Sequence, residues 1–216
     1  MSGYKYLFGP VPSRRLGASL GVSPIPERTC NYSCVYCQLG RTLRMTNTRQ
    51  EFFPLEEILA EFREYLRGSI PFDVVTVVGE GEPTLYSRLG ELIAGLKKET
   101  DKPVAVITNG ALLYDAEMRR ELMEADIVLP SLDAVTEEQY RKIDRPMGSI
   151  GFAEMAEGLR QFAREYQGQL WIEIMLVDGM NDSPEDIAAF KEFLGTIDYD
   201  RVYLNTPVRP PAEGFV

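Results

Sequence analysis

VVTVVGEGEP, running from Val74 to Pro83, sets the frame for the whole chain. Its first five residues are all β-branched, which suits a strand buried on both faces, and the glycines, carboxylates and proline that follow end it in a turn. Upstream, Leu55, Ile58, Leu59, Phe62 and Leu66 recur at helical spacing. Downstream the alternation repeats. A helix over Leu89–Lys98 precedes a strand at Val104–Thr108, and a helix over Ala116–Glu124 precedes a strand at Ile127–Ser131. Helices over Thr136–Lys142 and Phe152–Tyr166 precede a strand at Leu170–Val177, and a helix over Pro184–Leu194 precedes a strand at Arg201–Asn205. Thr136 with Gln139 and Ser183 with Asp186 read as capping boxes, with Pro184 at the first helical position. Adding an early strand at Leu16–Val22 predicts six strands in β/α alternation. That is an α/β fold on a parallel sheet, either doubly wound or curled into an incomplete (β/α)6 TIM-like barrel.

The 216 residues, 44% hydrophobic, suit one core and predict a single domain over 1–216, with 207–216 an irregular tail or the start of a further segment. No apolar run approaches bilayer length, and the start MSGYKYLFGP lacks a signal-peptide core. The expectation is a cytoplasmic protein with no membrane partner.

Polar residues follow each apolar run. The second strand leads into Gly79, Glu80, Gly81 and Glu82; the third ends in Thr108 and Asn109; the fourth in Ser131 and Asp133; the last in Asn205. In parallel α/β folds the site gathers at these carboxyl ends, so separate segments are expected to converge on one mouth. Taken singly, Thr-Asn-Gly is an ordinary turn and Ser-Leu-Asp an ordinary helix lead-in.

The first strand leads to CNYSCVYC, which holds all three cysteines of the chain, Cys30, Cys34 and Cys37. Their clustering suits three ligands on one metal centre better than a disulfide framework. A closed zinc site asks for four Cys or His ligands, and the sequence has no histidine. An iron–sulfur cluster with three protein thiolates and one open iron fits better, with unligated buried thiols as the plain alternative. Net charge is −10, yet residues 1–50 carry seven basic groups against one acid, Glu27. Arginines near the cysteines would favour an anionic cluster, an anionic substrate or an acidic electron donor.

CNYSCVYC resembles the cluster motif of the radical S-adenosylmethionine (radical SAM) superfamily, with Tyr36 as the aromatic residue before the last cysteine. The resemblance implies the incomplete barrel and a [4Fe-4S] cluster whose fourth iron is chelated by the amino and carboxylate groups of SAM. It also implies one-electron cleavage of SAM to methionine and a 5′-deoxyadenosyl radical that abstracts hydrogen from a substrate. By the same resemblance, Glu82 and the backbone around Gly81 meet the methionine amino group, Ser131 and Asp133 the ribose, and Tyr36 the adenine. Glu80 departs from the commoner Gly at its place in the motif. Thr108, Asn109 and Asn205 line the mouth. Arg145 and Arg209 are candidates for an anionic substrate. FGPVPSRRLGASLGV with TCNYSCVYCQLGRT is similar to the branch of wybutosine-type tRNA-modifying enzymes, whose second cluster needs further cysteines that these residues do not supply. Flavodoxin or ferredoxin is the implied donor; RNA, a peptide or a small metabolite is the substrate. The other reading is an iron–sulfur electron carrier or redox sensor without SAM chemistry.

Overall fold

The structure is a computed structural model that describes residues 3–68 and 70–216. The chain opens with β1 (Leu7–Ser13) and β2 (Gly17–Val22), followed by the short β3 (Thr29–Cys30) and β4 (Arg44–Met45) and helix α1 (Leu55–Arg67). There follow β5 (Val74–Val77), a 3-10 turn over Pro83–Leu85, α2 (Leu89–Glu99), β6 (Val104–Thr108), α3 (Ala116–Leu122) and β7 (Ile127–Pro130). Helices α4 (Glu137–Ile143) and α5 (Phe152–Glu165), β8 (Gln169–Met175), α6 (Pro184–Leu194) and β9 (Arg201–Asn205) complete it.

Among the described residues the main sheet has seven strands in the order β1-β2-β5-β6-β7-β8-β9. A doubly wound sheet reverses its strand order at a switch point, whereas here each strand is added beside the last, so the sheet curls one way. The result is an incomplete TIM-like barrel with β1 and β9 at its open edges. Helices cover the outer face. There Val75, Val77, Val104, Val106 and Val128 join the large core with Phe62 and Leu92. The inner face carries the alternate residues, among them Val74, Ala105, Leu129 and Trp171. Val74–Val77 is thus buried on both faces, as the β-branched run requires.

Two expectations need correction. The sheet is mixed, because β1, which is not among the six expected strands, pairs antiparallel to β2. Glycine and proline fill β1, and an edge strand tolerates them where a central one does not. Ser183 and Asp186 do form a reciprocal capping box. Thr136 forms half of one: it accepts from Gln139 N, but the Gln139 side chain turns back to Val135 N at 3.1 Å rather than to Thr136. The segment after β9 has no regular secondary structure and is anchored to the cysteine loop. Glu213 N donates to Val35 O at 3.1 Å, and its carboxylate holds Arg41 through two bonds of 2.9 Å.

Candidate active site at the strand carboxyl ends

The cysteine loop is docked on the sheet through Gly81. Thr29 bridges to Gly81, and Glu82 N donates to Thr29 O at 3.0 Å. A Cβ at Gly81 would lie 1.9 Å from Thr29 O, so only glycine lets the two backbones meet. The loop's other side is held by α4 and the segment after it. Val35 N donates to Ile143 O at 2.9 Å, Ser33 N to Asp144 O at 3.0 Å, and Met147 N to Asn31 O at 2.8 Å. Below it, the Tyr32 and Tyr140 hydroxyls hydrogen-bond to each other.

All three thiols are free and half-buried. Cys30 Sγ accepts from Tyr32 N at 3.3 Å and from Asn109 Nδ2 at 3.6 Å, and Cys34 Sγ donates to Asp144 Oδ1 at 3.7 Å. Burial, with Glu82 nearby, pushes the Cys30 thiol up to about 12. Burial likewise raises Cys34 and the carboxyl of Asp144 well above their ordinary values. A metal bound here must therefore displace protons.

Glu82 is 2% exposed and lies behind the mouth rather than in it. Its Oε1 accepts from Thr84 N, from Thr84 Oγ1 and from Thr108 Oγ1, the last two at 2.6 Å. Its Oε2 accepts only from Asn109 N, at 2.8 Å, so lone-pair capacity is left on that oxygen. Burial still raises its carboxyl pKa, because the four donors only partly offset the loss of water. Asn109 completes the link to the cysteine loop by donating to Asn31 Oδ1 at 2.7 Å.

The mouth is a cavity of about 650 Å³. Tyr36, Cys37, Gly79, Glu80, Ser131, Asp133, Asn205 and Arg209 are among the residues that line it. Asp133 is held by the Tyr36 hydroxyl and by Met175 N at 2.6 Å. Burial pushes its carboxyl up to about 7. Asn205 donates to Glu173, and Arg209 donates to Gln38 at 2.5 Å. Cys30, Cys34, Gly81, Thr108, Asn109 and Arg145 are not among the residues that line the cavity. The guanidinium of Arg145 instead pairs with Glu213.

Two further residues of the site, Glu173 and Asn181, lie on β8 and in the turn after it. Glu173 lies in the lumen, bonded to both Arg15 and Asn205. A lone carboxylate inside the apolar run WIEIM was the available signal. Asn181 is fully buried and closes the turn after β8, accepting from Val177 N at 2.7 Å and donating to Asp133 O at 2.8 Å.

The donor set suits a cluster. Among the described residues no three His, Cys, Asp or Glu side chains gather closely enough to hold a single metal ion. That speaks against a mononuclear site and not against a cube of irons, where each thiolate meets its own metal. The N–H donors on Cys30 Sγ are of the kind that tune such clusters.

A family description, the Radical SAM superfamily, matches residues 25–191. A protein of Brachyspira hyodysenteriae named GTPase Obg is 43% identical over 205 residues, which is 95% of this chain and 30% of that one. A UPF0026 protein of Methanocaldococcus jannaschii is 38% identical over 211 residues, 97% of this chain and 65% of its own. The chain thus spans less than two thirds of these relatives' lengths. Among solved structures, native anSMEcpe with bound AdoMet superimposes with a TM-score of 0.66 at 17% identity, covering 89% of this chain and 52% of that one.

Proposed function

The chain belongs to the radical SAM superfamily, whose cofactors are a [4Fe-4S] cluster and SAM, and on that premise we propose an enzyme that cleaves SAM reductively and abstracts hydrogen from a substrate. One observation carries the reading: three free thiols on a single loop stand beside a mouth lined by polar residues from the ends of β5, β7 and β9. A [4Fe-4S] cluster held by Cys30, Cys34 and Cys37 would supply the one-electron reductive cleavage of SAM at its sulfonium.

The protein's own part is binding and exclusion. Cys30, Cys34 and Cys37 take one iron each. Glu82, buried behind the mouth, fixes Thr108 and Asn109 and sets a negative charge behind the place of the methionine ammonium. Ser131 and Asp133 serve the ribose, and Tyr36 the adenine, once its hydroxyl leaves Asp133. A low-potential flavodoxin or ferredoxin supplies the electron. The similarity to wybutosine-type enzymes does not carry their reaction over, because within these 216 residues all three cysteines belong to one loop.

The test is anaerobic reconstitution followed by SAM and dithionite. Methionine and 5′-deoxyadenosine are expected, and neither above background in the variant with all three cysteines changed to alanine. A cluster whose spectrum is unmoved by SAM would leave an electron carrier or redox sensor as the better reading.

A further inference from the structure

Tyr36, Gly79, Ser131 and Asp133 form the part of the mouth given to SAM above. The same cavity is also lined by residues of β1, of β2 and of the chain after β9, a second wall that the proposed function leaves without a role.

Its shape departs from a plain sheet edge. The register of β1 on β2 slips between Phe8, opposite Gly21, and Val11, opposite Ser19. Ser19 and Gly21 share the lumen face, so the bulge turns both Phe8 and Val11 inward where regular alternation would separate them. Both line the cavity and remain 38% and 37% exposed. Gly21 makes room for the ring: a Cβ there would lie 2.1 Å from Phe8. Its charge is equally distinctive. Arg14 and Arg209 reach the same cavity and are exposed, and among the described residues neither has a carboxylate partner. The carboxylate on this side, Glu173, is taken by Arg15 and Asn205. Glu80, also exposed to the cavity, sits on the β5 turn at the SAM wall.

We propose that this wall is the substrate subsite, and that it takes a small molecule joining one carboxylate or phosphate to an apolar body. Arg14 and Arg209 hold the anion, and Phe8 and Val11 carry the body. The inference rests on SAM occupying the part of the cavity lined by Tyr36, Gly79, Ser131 and Asp133. A cavity of about 650 Å³ shared with SAM leaves room for a small molecule. A polyanion fits poorly, since a phosphate backbone calls for a track of cations and this chain is −10 overall with two unpaired arginines at the rim.

The experiment uses reconstituted holoenzyme with SAM and calorimetric titration of three probes: phenyl phosphate, phenylacetate and benzylamine. At least one anionic probe is expected to bind and benzylamine to fail, the tighter anion telling phosphate from carboxylate. R14E/R209E should weaken the anion by more than about tenfold and admit benzylamine, while R14K/R209K retains anion binding. Equal affinity in wild type and R14E/R209E overturns the subsite, and so does a short single-stranded RNA that binds more tightly than both small anions. The wild-type cluster's spectral response to SAM, read in the same samples, is separate. If it is absent the SAM reading fails, and if it is present without probe discrimination only the subsite fails.

Discussion

At Gly81 a hydrogen in place of a methyl decides whether the cysteine loop can reach the sheet. Gly81→Ala would drive Cβ into Thr29 O, a backbone atom that cannot swing aside, and the bridge that positions Cys30 would open. The expected cost is about 1–3 kcal/mol, the range for overpacking, together with reduced iron per chain after reconstitution. Unchanged stability and full iron content would show that the loop docks without this contact. Asp133 makes a second expectation, through pH. Its native pKa of about 7 stands above the ordinary 3.8, so between those values the native state holds a proton that the unfolded chain has lost. This group's contribution is complete below 3.8 and is lost as pH rises through about 7. In urea unfolding of the apoprotein, the drop in midpoint between about pH 5 and about pH 8 should shrink in Asp133→Asn. An equal drop in both proteins would place the titration elsewhere. Asp133 was legible in the sequence because it sits at a strand end, a local feature. The pairing of Glu173 with Arg15 was not, since they lie 158 residues apart and meet only through the curl of the sheet.

Among the elements, the strands with unbroken β-branched runs declared themselves, because a strand buried on both faces needs no partner information to be recognised. β1 did not. Its character comes from pairing with β2 and from the bulge that aims Phe8 and Val11, and neither leaves a periodic trace. Caps show the same limit at finer grain, since the spacing Thr136–Gln139 matches a capping box while packing turns Gln139 toward Val135 and Asp186. The two helix starts should therefore respond differently to alanine. Ser183→Ala removes two bonds, from Asp186 N to Ser183 Oγ at 3.0 Å and from Ser183 Oγ to Asp186 Oδ2 at 2.6 Å, and leaves the bond from the backbone N of residue 183 to Asp186 without its reciprocal. Thr136→Ala removes one bond of 3.2 Å. A loss of about 1–2 kcal/mol is expected for Ser183→Ala and about 0.5–1 for Thr136→Ala. Chemical denaturation giving the reverse order would show that reciprocity adds nothing here.

Across the whole molecule, the basic first 50 residues turn out to be largely a set of fasteners. Lys5, Arg15, Arg41 and Arg49 pair with Glu57, Glu173, Glu213 and Glu121, all outside that segment. The charge asymmetry visible in the sequence thus becomes attachment of the cysteine-bearing third to the rest, leaving Arg14 at the mouth as one of the few free cations. The pairs are not equivalent. Arg49 and Glu121 are 18% and 17% exposed at their side chains, and Arg49 also donates to Thr84 O and to Tyr86 O at 3.0 Å. It ties the strand of chain after the cysteines to the turn that follows Glu82. Lys5 and Glu57 are 62% and 56% exposed at 3.7 Å, where water and salt screen the attraction. Arg49→Ala leaves Glu121 half-enclosed with its main cation gone and two carbonyls unpaired, so a loss of about 3 kcal/mol is expected, persisting in molar salt. Arg49→Lys should recover only part of it, since an ammonium cannot serve the carboxylate and both carbonyls from one plane. Lys5→Ala should leave the unfolding midpoint where it was. If Arg49→Ala proved equally silent, the cysteine segment would be held by its backbone contacts to Gly81 and α4 alone, and the arginines would have no part in fastening it.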